Sequence, residues 1–245
     1  MQVAILSDIH GNAKALKAVL NDLAEKNVKK LYIIGDLCYR GPEPKNALET
    51  VRSTPAKVLK GNADEWIVRG VKKGEVPDKA LAIMNQEREW TVERLTQDDI
   101  AYLENLPTSF HENLTKEITM HLFHATPDSL FEIVSKEASD EELEHSLMTQ
   151  VDADFYIYGH IHTPFVRKIG DKTVINTGSV GLPFDGDNRA SYALLTIKDG
   201  KAEAAIERVE YDINRVAASY DANDYPNREQ MKQIIISGKN RAKDK

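Results

Sequence analysis

Seven side chains of metal-ligating type stand directly after short apolar runs of the sequence. They are two aspartates, four histidines and one asparagine: Asp8, His10, Asp36, Asn62, His124, His160 and His162. Two carboxylates about 4 Å apart repel each other by roughly 4 kcal/mol at an effective dielectric constant of 20, and a shared cation removes that repulsion. Oxygen and imidazole ligands without a thiolate suit Mn, Zn, Fe, Co or Ni. These residue types therefore predict a transition-metal site, provided that the fold brings them together.

The apolar runs that precede these residues are predicted β-strands, because they are short, continuously apolar and rich in β-branched or aromatic residues. The predicted strands cover residues 3–6, 31–34, 58–59, 120–123, 155–158, 174–175, 193–197 and 202–209. Helical patterns over residues 12–26, with Asn12 as the N-cap, and over 43–52 separate the first three strands, which favours a parallel sheet. Residues just past the carboxyl ends of parallel strands line one edge of a sheet, where ligands bind. We therefore expect the seven side chains to meet there.

Residues 78–106 interrupt this alternation with a helical pattern that ends at Pro107. They predict a helical insertion, which acts either as a lid over the site or as a pair of packing helices. A capping box at Ser139 predicts another helix, and Gly-Asp and Asp-Gly turns within 169–210 predict antiparallel hairpins. We expect one domain over residues 1–236, followed by a flexible basic tail over 237–245.

The order of these motifs resembles the signature of the calcineurin-like metallophosphoesterase superfamily. The matching motifs are D-x-H at Asp8 and His10, G-D at Gly35 and Asp36, G-N at Gly61 and Asn62, the isolated His124, and G-H-x-H at Gly159, His160 and His162. The sequence is most similar to the small bacterial branch related to diadenosine tetraphosphatases and YfcE-like phosphodiesterases, from residue 1 to about residue 210. The resemblance implies an α/β fold, a four-layer α/β/β/α sandwich with two mixed β-sheets.

The resemblance also implies a centre of two divalent metal ions, with manganese as the expected metal. One ion would be held by Asp8, His10, Asp36 and His162. The other ion would be held by Asp36, Asn62, His124 and His160, so that Asp36 bridges the pair. A hydroxide between the two metals would attack phosphorus, because such ions lower the pKa of bound water towards ~7. The implied substrate is a small, nucleotide-like phosphate compound with a phosphodiester or phosphoanhydride bond.

Three further residues are candidates for a part in catalysis. Arg40 follows Asp36 by four residues and is similar to a phosphate-binding arginine of the family, although a surface arginine in a turn remains the alternative. Position 63 is alanine, where many relatives carry a histidine that protonates the leaving group. General acid catalysis is worth ~10²–10⁴ in rate, so its loss predicts a preference for good leaving groups. Asp64 and His121 are the candidate replacement acids.

Composition limits the classes of protein to which the chain can belong. Its 245 residues are 41% hydrophobic and 29% charged, as in ordinary globular proteins. The net charge of −7 weighs against binding of extended nucleic acid. The single cysteine, Cys38, suits a reducing compartment, and no apolar run approaches the ~20 residues of a membrane span. Together with a start unlike a secretion signal, this predicts a cytoplasmic protein of unspecified oligomeric state.

Two other functions stay open at this stage. The chain could be a catalytically weak metal-binding scaffold or interaction protein, although a lapsed enzyme has no physical need for all seven ligand positions. It could also be a phosphomonoesterase similar to protein Ser/Thr phosphatases. A P-loop NTPase and a serine hydrolase are excluded, because neither G-x-x-x-x-G-K-[ST] nor G-x-S-x-G occurs in the sequence.

Overall fold

Two five-stranded β-sheets lie face to face in the computed structural model, which describes residues 1–240. The first sheet contains β1 (Gln2–Leu6), β2 (Lys30–Ile33), β3 (Lys57–Val58), β9 (Ala190–Lys198) and β10 (Lys201–Val209). The second sheet contains β4 (Ser109–Asn113), β5 (Thr119–Phe123), β6 (Phe155–Tyr158), β7 (Phe165–Ile169) and β8 (Lys172–Asn176).

Both sheets are mixed. In the first sheet, whose order is β10-β9-β1-β2-β3, the strands β1, β2 and β3 run parallel, with Leu6 opposite Ile33, and β9 and β10 run antiparallel to their neighbours. In the second sheet, whose order is β4-β5-β6-β8-β7, the strands β5, β6 and β8 run parallel, and the edge strands β4 and β7 are antiparallel. Five of these parallel strands are the ones that precede the seven polar residues.

Eight helices occur among residues 1–240. They are α1 (Ala13–Glu25), α2 (Pro44–Ser53), α3 (Asn62–Arg69), α4 (Asp78–Val92), α5 (Gln97–Glu104), α6 (Asp140–Leu147), α7 (Ile213–Ala222) and α8 (Arg228–Ser237). Asn12 caps α1 as predicted, since its side-chain oxygen accepts the backbone N–H of Ala15 at 3.0 Å. The capping box at Ser139 likewise begins α6.

Apolar side chains form separate layers between the sheets and on their outer faces. Between the sheets, Ile5 of the first sheet packs in one cluster with Leu122 and Ile157 of the second. On the outer face of the first sheet, Leu6 belongs to a cluster with residues of α1 and α2. On the outer face of the second sheet, Phe123 belongs to a cluster with residues of α6. The predicted four-layer α/β/β/α sandwich with two mixed sheets is therefore confirmed.

The structure confirms the predicted strands and both hairpin turns, and it contains five elements that the sequence patterns do not predict. These are the helix α3, the edge strands β4 and β7, and the C-terminal helices α7 and α8. Residues 78–106 form two helices, α4 and α5, because a capping box of Thr96 and Asp99 starts a new helix.

The predicted flexible tail lies partly outside the described residues, which end at 240. Within them, Ser237 is the last residue of α8, and Gly238 closes the helix with a left-handed backbone, φ +64°. Over the described part of the chain, no helix combines the length and apolarity that crossing a membrane requires.

Candidate metal centre

The structure brings all seven predicted ligands to one rim of the sandwich, past the ends of β1, β2, β3, β5 and β6. Six of these side chains are buried, and His160 is partly exposed. Five of the seven have a left-handed backbone: φ is +56° at Asp8, +47° at His10, +59° at Asp36, +65° at His160 and +57° at His162. Non-glycine residues in this region cost of order 1–3 kcal/mol each and cluster at functional sites. The fold thus stores backbone strain at the ligand positions.

Two glycines of the motifs allow the strand ends to approach each other closely. A Cβ atom on Gly61 would overlap Oδ1 of Asp36, and one on Gly159 would overlap Oγ of Ser7. In these positions only glycine has room, because the neighbouring backbone and carboxylates occupy the space of a side chain. The glycines before Asn62 and His160 are therefore part of the packing of the site.

The first cluster consists of Asp8, His10, Asp36 and His162, whose donor atoms all lie within 4.8 Å of one another. Nε2 of His162 lies 3.0 Å from Oδ1 of Asp8 and 3.2 Å from Nε2 of His10. The same His10 nitrogen lies 3.5 Å from Oδ2 of Asp36. This set is the one that the sequence resemblance assigned to one metal ion.

The second cluster consists of Asn62, His124 and His160, with Asp36 shared between the clusters. Oδ1 of Asn62 lies 2.9 Å from Nε2 of His124 and 2.8 Å from Nδ1 of His160. Oδ1 of Asp36 lies 3.4 Å from Nε2 of His124. The two oxygens of Asp36 thus face the two clusters, as a bridging carboxylate requires.

Backbone carbonyls determine which nitrogen of three histidines faces the centre. Nδ1 of His10 contacts the carbonyl of Tyr39 at 2.9 Å, and Nδ1 of His124 contacts that of Ile34 at 2.8 Å. Nδ1 of His162 contacts the carbonyl of Leu182 in the same way. A carbonyl only accepts hydrogen bonds, so each Nδ1 carries the hydrogen and each Nε2 of a neutral ring presents a lone pair.

The first cluster therefore brings several hydrogen-bond acceptor atoms together with no hydrogen-bond donor between them. The lone pairs of His10 and His162 face each other and Oδ1 of Asp8, which is buried and has no hydrogen-bond partner. Buried polar atoms are almost always paired, and a cation placed among these three atoms would satisfy them together. These nitrogen and oxygen atoms therefore form a set of ligands that fits a divalent metal ion.

The electrostatics of the site keep the carboxylates ionised. Burial acts to raise the pKa of Asp8, but contacts with His162 and His10 hold it well below the usual range. Burial lowers the pKa of His160 to about 4, helped by the charge of His124. Burial also acts to lower the pKa of His124, but the negative charge of Asp36 outweighs this effect and raises the pKa of His124 to about 9. The centre thus offers anionic oxygens and a neutral His160 to a cation, which would replace the proton on His124.

Asp64, a predicted replacement acid, lies beneath the centre and holds its backbone. Its carboxylate accepts three backbone N–H groups, from Asp36 at 2.8 Å, Leu37 at 2.9 Å and Gly61 at 2.8 Å. The side chain is fully buried. Burial and the charge of Asp36 raise its pKa to about 6, against the lowering effect of those N–H groups. Both oxygens are therefore occupied by the loops that carry Asp36 and Asn62.

The other predicted replacement acid, His121, does not join the centre. It projects from β5 into contact with Phe123 and Tyr156, at ring-centroid distances of 5.0 and 6.3 Å, on the outer side of the second sheet. The direction of the side chain alternates along a strand. His121 therefore points away from the layer between the sheets, where its neighbours Met120 and Leu122 pack.

Arg40 borders the centre but is held from behind by a buried acid. Nε of Arg40 lies 3.4 Å from Oε2 of Glu87 on α4, which is fully buried, while the arginine side chain is 17% exposed. The hydroxyl of Tyr220 donates to the carbonyl of Arg40 at 2.9 Å, and Asn227 donates to Glu87 at 2.9 Å. Arg40 has the left-handed φ of +69°. The α4 insertion and α7 therefore fix the arginine at the rim.

A cavity of about 170 Å³ opens directly onto both clusters. Besides ligands and Arg40, its lining includes Ala63 and four larger apolar side chains, here called the apolar wall: Trp66, Met84, Ile133 and Phe184. The sequence patterns do not predict the apolar wall or Glu87. Trp66 could have been found, since it follows Ala63 by three residues on α3 and so shares its face. An apolar loop residue such as Ile133 carries no such signal.

The chain is similar in sequence and in structure to known phosphoesterases, which agrees with a metal centre at this site. The family model described as the calcineurin-like phosphoesterase superfamily domain matches residues 1–200. An uncharacterized protein of Methanocaldococcus jannaschii is 32% identical over 243 residues, covering 91% of this chain and 93% of the relative. A symmetrical bis(5'-nucleosyl)-tetraphosphatase of Psychromonas ingrahamii is 36% identical over 92 residues, covering 35% and 33% of the two chains. The crystal structure of a metallophosphoesterase from Sphaerobacter thermophilus superposes with a TM-score of 0.77 at 26% identity, covering 97% and 99%.

Proposed function

The chain belongs to the calcineurin-like phosphoesterase superfamily, and from that premise we propose that it is a dinuclear metal-dependent phosphohydrolase. Membership makes it a metallophosphoesterase and a hydrolase. We propose that its substrates are small, nucleotide-like compounds with phosphodiester or phosphoanhydride bonds and good leaving groups. The observation that carries the dinuclear proposal is Asp36, whose two oxygens face His10 at 3.5 Å and His124 at 3.4 Å. The manganese identity and the cytoplasmic location stay predictions.

The proposed mechanism depends on residues that hold charge in place. Asp8, His10, Asp36 and His162 would hold one ion, and Asp36, Asn62, His124 and His160 the other. When bound, the ions supply Lewis acidity and a water acidic enough to attack phosphorus near neutral pH. Arg40, fixed by Glu87, presents a positive charge to the phosphoryl oxygens at the cavity rim. Asp64 positions Asp36 and Asn62 and donates no proton, since both its oxygens accept backbone N–H groups.

Ala63 bears on the choice of substrate. It lines the cavity beside Asn62 and His160, where a methyl group donates no proton to a departing oxygen. A leaving group must then depart as the anion, which favours aryl oxides and phosphates over alkyl alcohols. The partial match to a symmetrical bis(5'-nucleosyl)-tetraphosphatase supports phosphoanhydrides as one such class.

Removing divalent ions with a chelator should abolish hydrolysis of an aryl phosphodiester, and recovery should require two ions per chain. Elemental analysis during reconstitution, with manganese compared against iron, zinc, cobalt and nickel, measures the ratio at which activity returns. Full activity at one ion per chain would contradict the dinuclear proposal. Binding of two ions without hydrolysis of any phosphate ester would favour the scaffold alternative.

Introducing a proton donor at position 63 should broaden the range of leaving groups. We expect Ala63→His to accelerate cleavage of a phosphoserine peptide at least about 10-fold, while hydrolysis of an aryl phosphodiester changes little. Ala63→Gln, which is of similar size but donates no proton at neutral pH, is the matched control. The same gain in both variants, or rapid phosphoserine cleavage by the unmodified protein, would show that the leaving-group proposal is incorrect.

A further inference from the structure

We propose that the apolar wall is a binding subsite for a flat aromatic ring carried by the substrate. The inference rests on the proposed function, because it assigns the organic part of a compound whose phosphoryl part lies at the metal centre. The apolar wall and the metal ligands His10, Asp36, Asn62, His160 and His162 border one and the same cavity. A ligand that places its phosphoryl group on the centre therefore brings its nearest organic group against the wall.

The aromatic members of the wall expose carbon surface to the cavity. The indole N–H of Trp66 donates to Glu75 at 3.0 Å, and Glu75 does not line the cavity, so the hydrogen bond of this ring is satisfied outside it. The ring of Phe184 lies nearly parallel to that of His162, with centroids 4.2 Å apart and an angle of 9° between the planes. Aromatic rings attract further rings in offset-stacked or edge-to-face arrangements. The wall thus offers the kind of surface on which a planar ring packs.

Ile133 completes the wall from the loop between β5 and α6. It is 65% exposed, the largest exposed fraction among the large hydrophobic side chains of the described residues. An isoleucine in this position contributes little to the folded core, because most of its surface stays in water. Contact with an apolar group entering the cavity would bury that surface.

Among residues 1–240, the polar side chains that line the cavity, apart from the metal ligands, are Arg40 and Asn240. Arg40 is committed to the phosphoryl group in the proposed function. The wall carries no charged side chain to neutralise a second anionic group at that position, so its chemistry favours an uncharged ring.

The test compares two ligands that differ only by a ring. AMP and ribose 5-phosphate share the phosphate and the sugar, and AMP adds a flat base. We expect the metal-loaded protein to bind AMP at least about 10-fold more tightly than ribose 5-phosphate in calorimetry. AMP should quench the fluorescence of Trp66, one of two tryptophans in the chain, and ribose 5-phosphate should not.

Variants at an exposed position separate the subsite from general effects on folding. Ile133→Ser should lower the ratio of the two affinities at least about threefold and leave the affinity for ribose 5-phosphate unchanged. Val166→Ser is the control, since Val166 is also exposed, at 40%, but lies on β7 and does not line the cavity. Phe184→Ala provides a second variant of the wall, with the same expected direction.

The outcomes for this inference and for the proposed function are distinct. Equal affinity for AMP and ribose 5-phosphate, with metal-dependent hydrolysis of an aryl phosphodiester intact, would overturn the subsite and leave the enzyme proposal standing. A preference for AMP that Ile133→Ser reduces, without hydrolysis of any substrate, would support the subsite and overturn the enzyme proposal. Equal effects of Ile133→Ser and Val166→Ser would also overturn the subsite.

Discussion

Replacing Asp36 by asparagine should reduce metal-dependent phosphodiester hydrolysis by about 10³-fold or more. The carboxylate faces both histidine clusters, at 3.5 Å from His10 and 3.4 Å from His124, so its replacement weakens both ion sites together. An amide keeps the size of the side chain but removes the negative charge between two cations, and the attacking water depends on both of them. Initial rates at saturating metal, together with the number of ions bound per chain, measure the effect.

Asp128→Asn is the matched control for this substitution. Asp128 is exposed, its carboxylate accepts hydrogen bonds from Thr149 and Gln150, and it does not line the cavity. Asp128→Asn should change the rate of phosphodiester hydrolysis less than twofold. If Asp36→Asn retained its full rate and two bound ions, the assignment of Asp36 as the bridging ligand would be wrong.

Replacing Asp64 by alanine should destabilise the metal-free protein by about 3–5 kcal/mol. The substitution leaves three buried N–H groups without an acceptor, those of Asp36, Leu37 and Gly61, and each unsatisfied group costs roughly 1–3 kcal/mol. Domains of this kind are stable by only about 5–15 kcal/mol, so this is a large share of the total. Urea denaturation of the metal-free variants measures the free energy of unfolding.

The neighbouring residue provides the comparison for Asp64. Glu65 lies on the same helix, is partly exposed and pairs with Arg69 at 2.9 Å, so Glu65→Ala should cost about 1 kcal/mol or less. A general acid at position 64 would behave differently from a positioning residue. Removing a general acid would leave the free energy of unfolding unchanged and lower the rate most for poor leaving groups. That result for Asp64→Ala would refute the structural role.

The ligand set could be predicted from the sequence because its members follow predicted strands and their motifs resemble those of a known family. A polar residue directly after a buried parallel strand lies at the carboxyl edge of the sheet, whatever the rest of the chain does. Asp36 and His124 lie 88 positions apart and follow strands of different sheets, so the family resemblance was needed to assign them to one centre. The helix caps at Asn12 and Ser139 were predictable for a local reason, since capping depends on residues within one turn.

Features that depend on distant partners could not be predicted. Strands β4 and β7 lie at the edges of the second sheet, and their alternating or polar residues give no continuous apolar run. The role of Asp64 depends on backbone N–H groups of Asp36 and Leu37, 28 and 27 positions away, which no local pattern links to it. Glu87 is an acidic residue that is fully buried, and its side-chain partners Arg40 and Asn227 are distant from it in the sequence.

The pairing of Arg40 with Glu87 has a consequence for how the catalytic cleft is entered. A hinge movement of α4 would separate the two charges and leave Glu87 buried without its counterion, at a cost of several kcal/mol. Such a movement would also break the hydrogen bond from Asn227 to Glu87. These contacts therefore favour α4 as a fixed side of the cavity over α4 as a moving cover, the two readings that the sequence leaves open for the insertion.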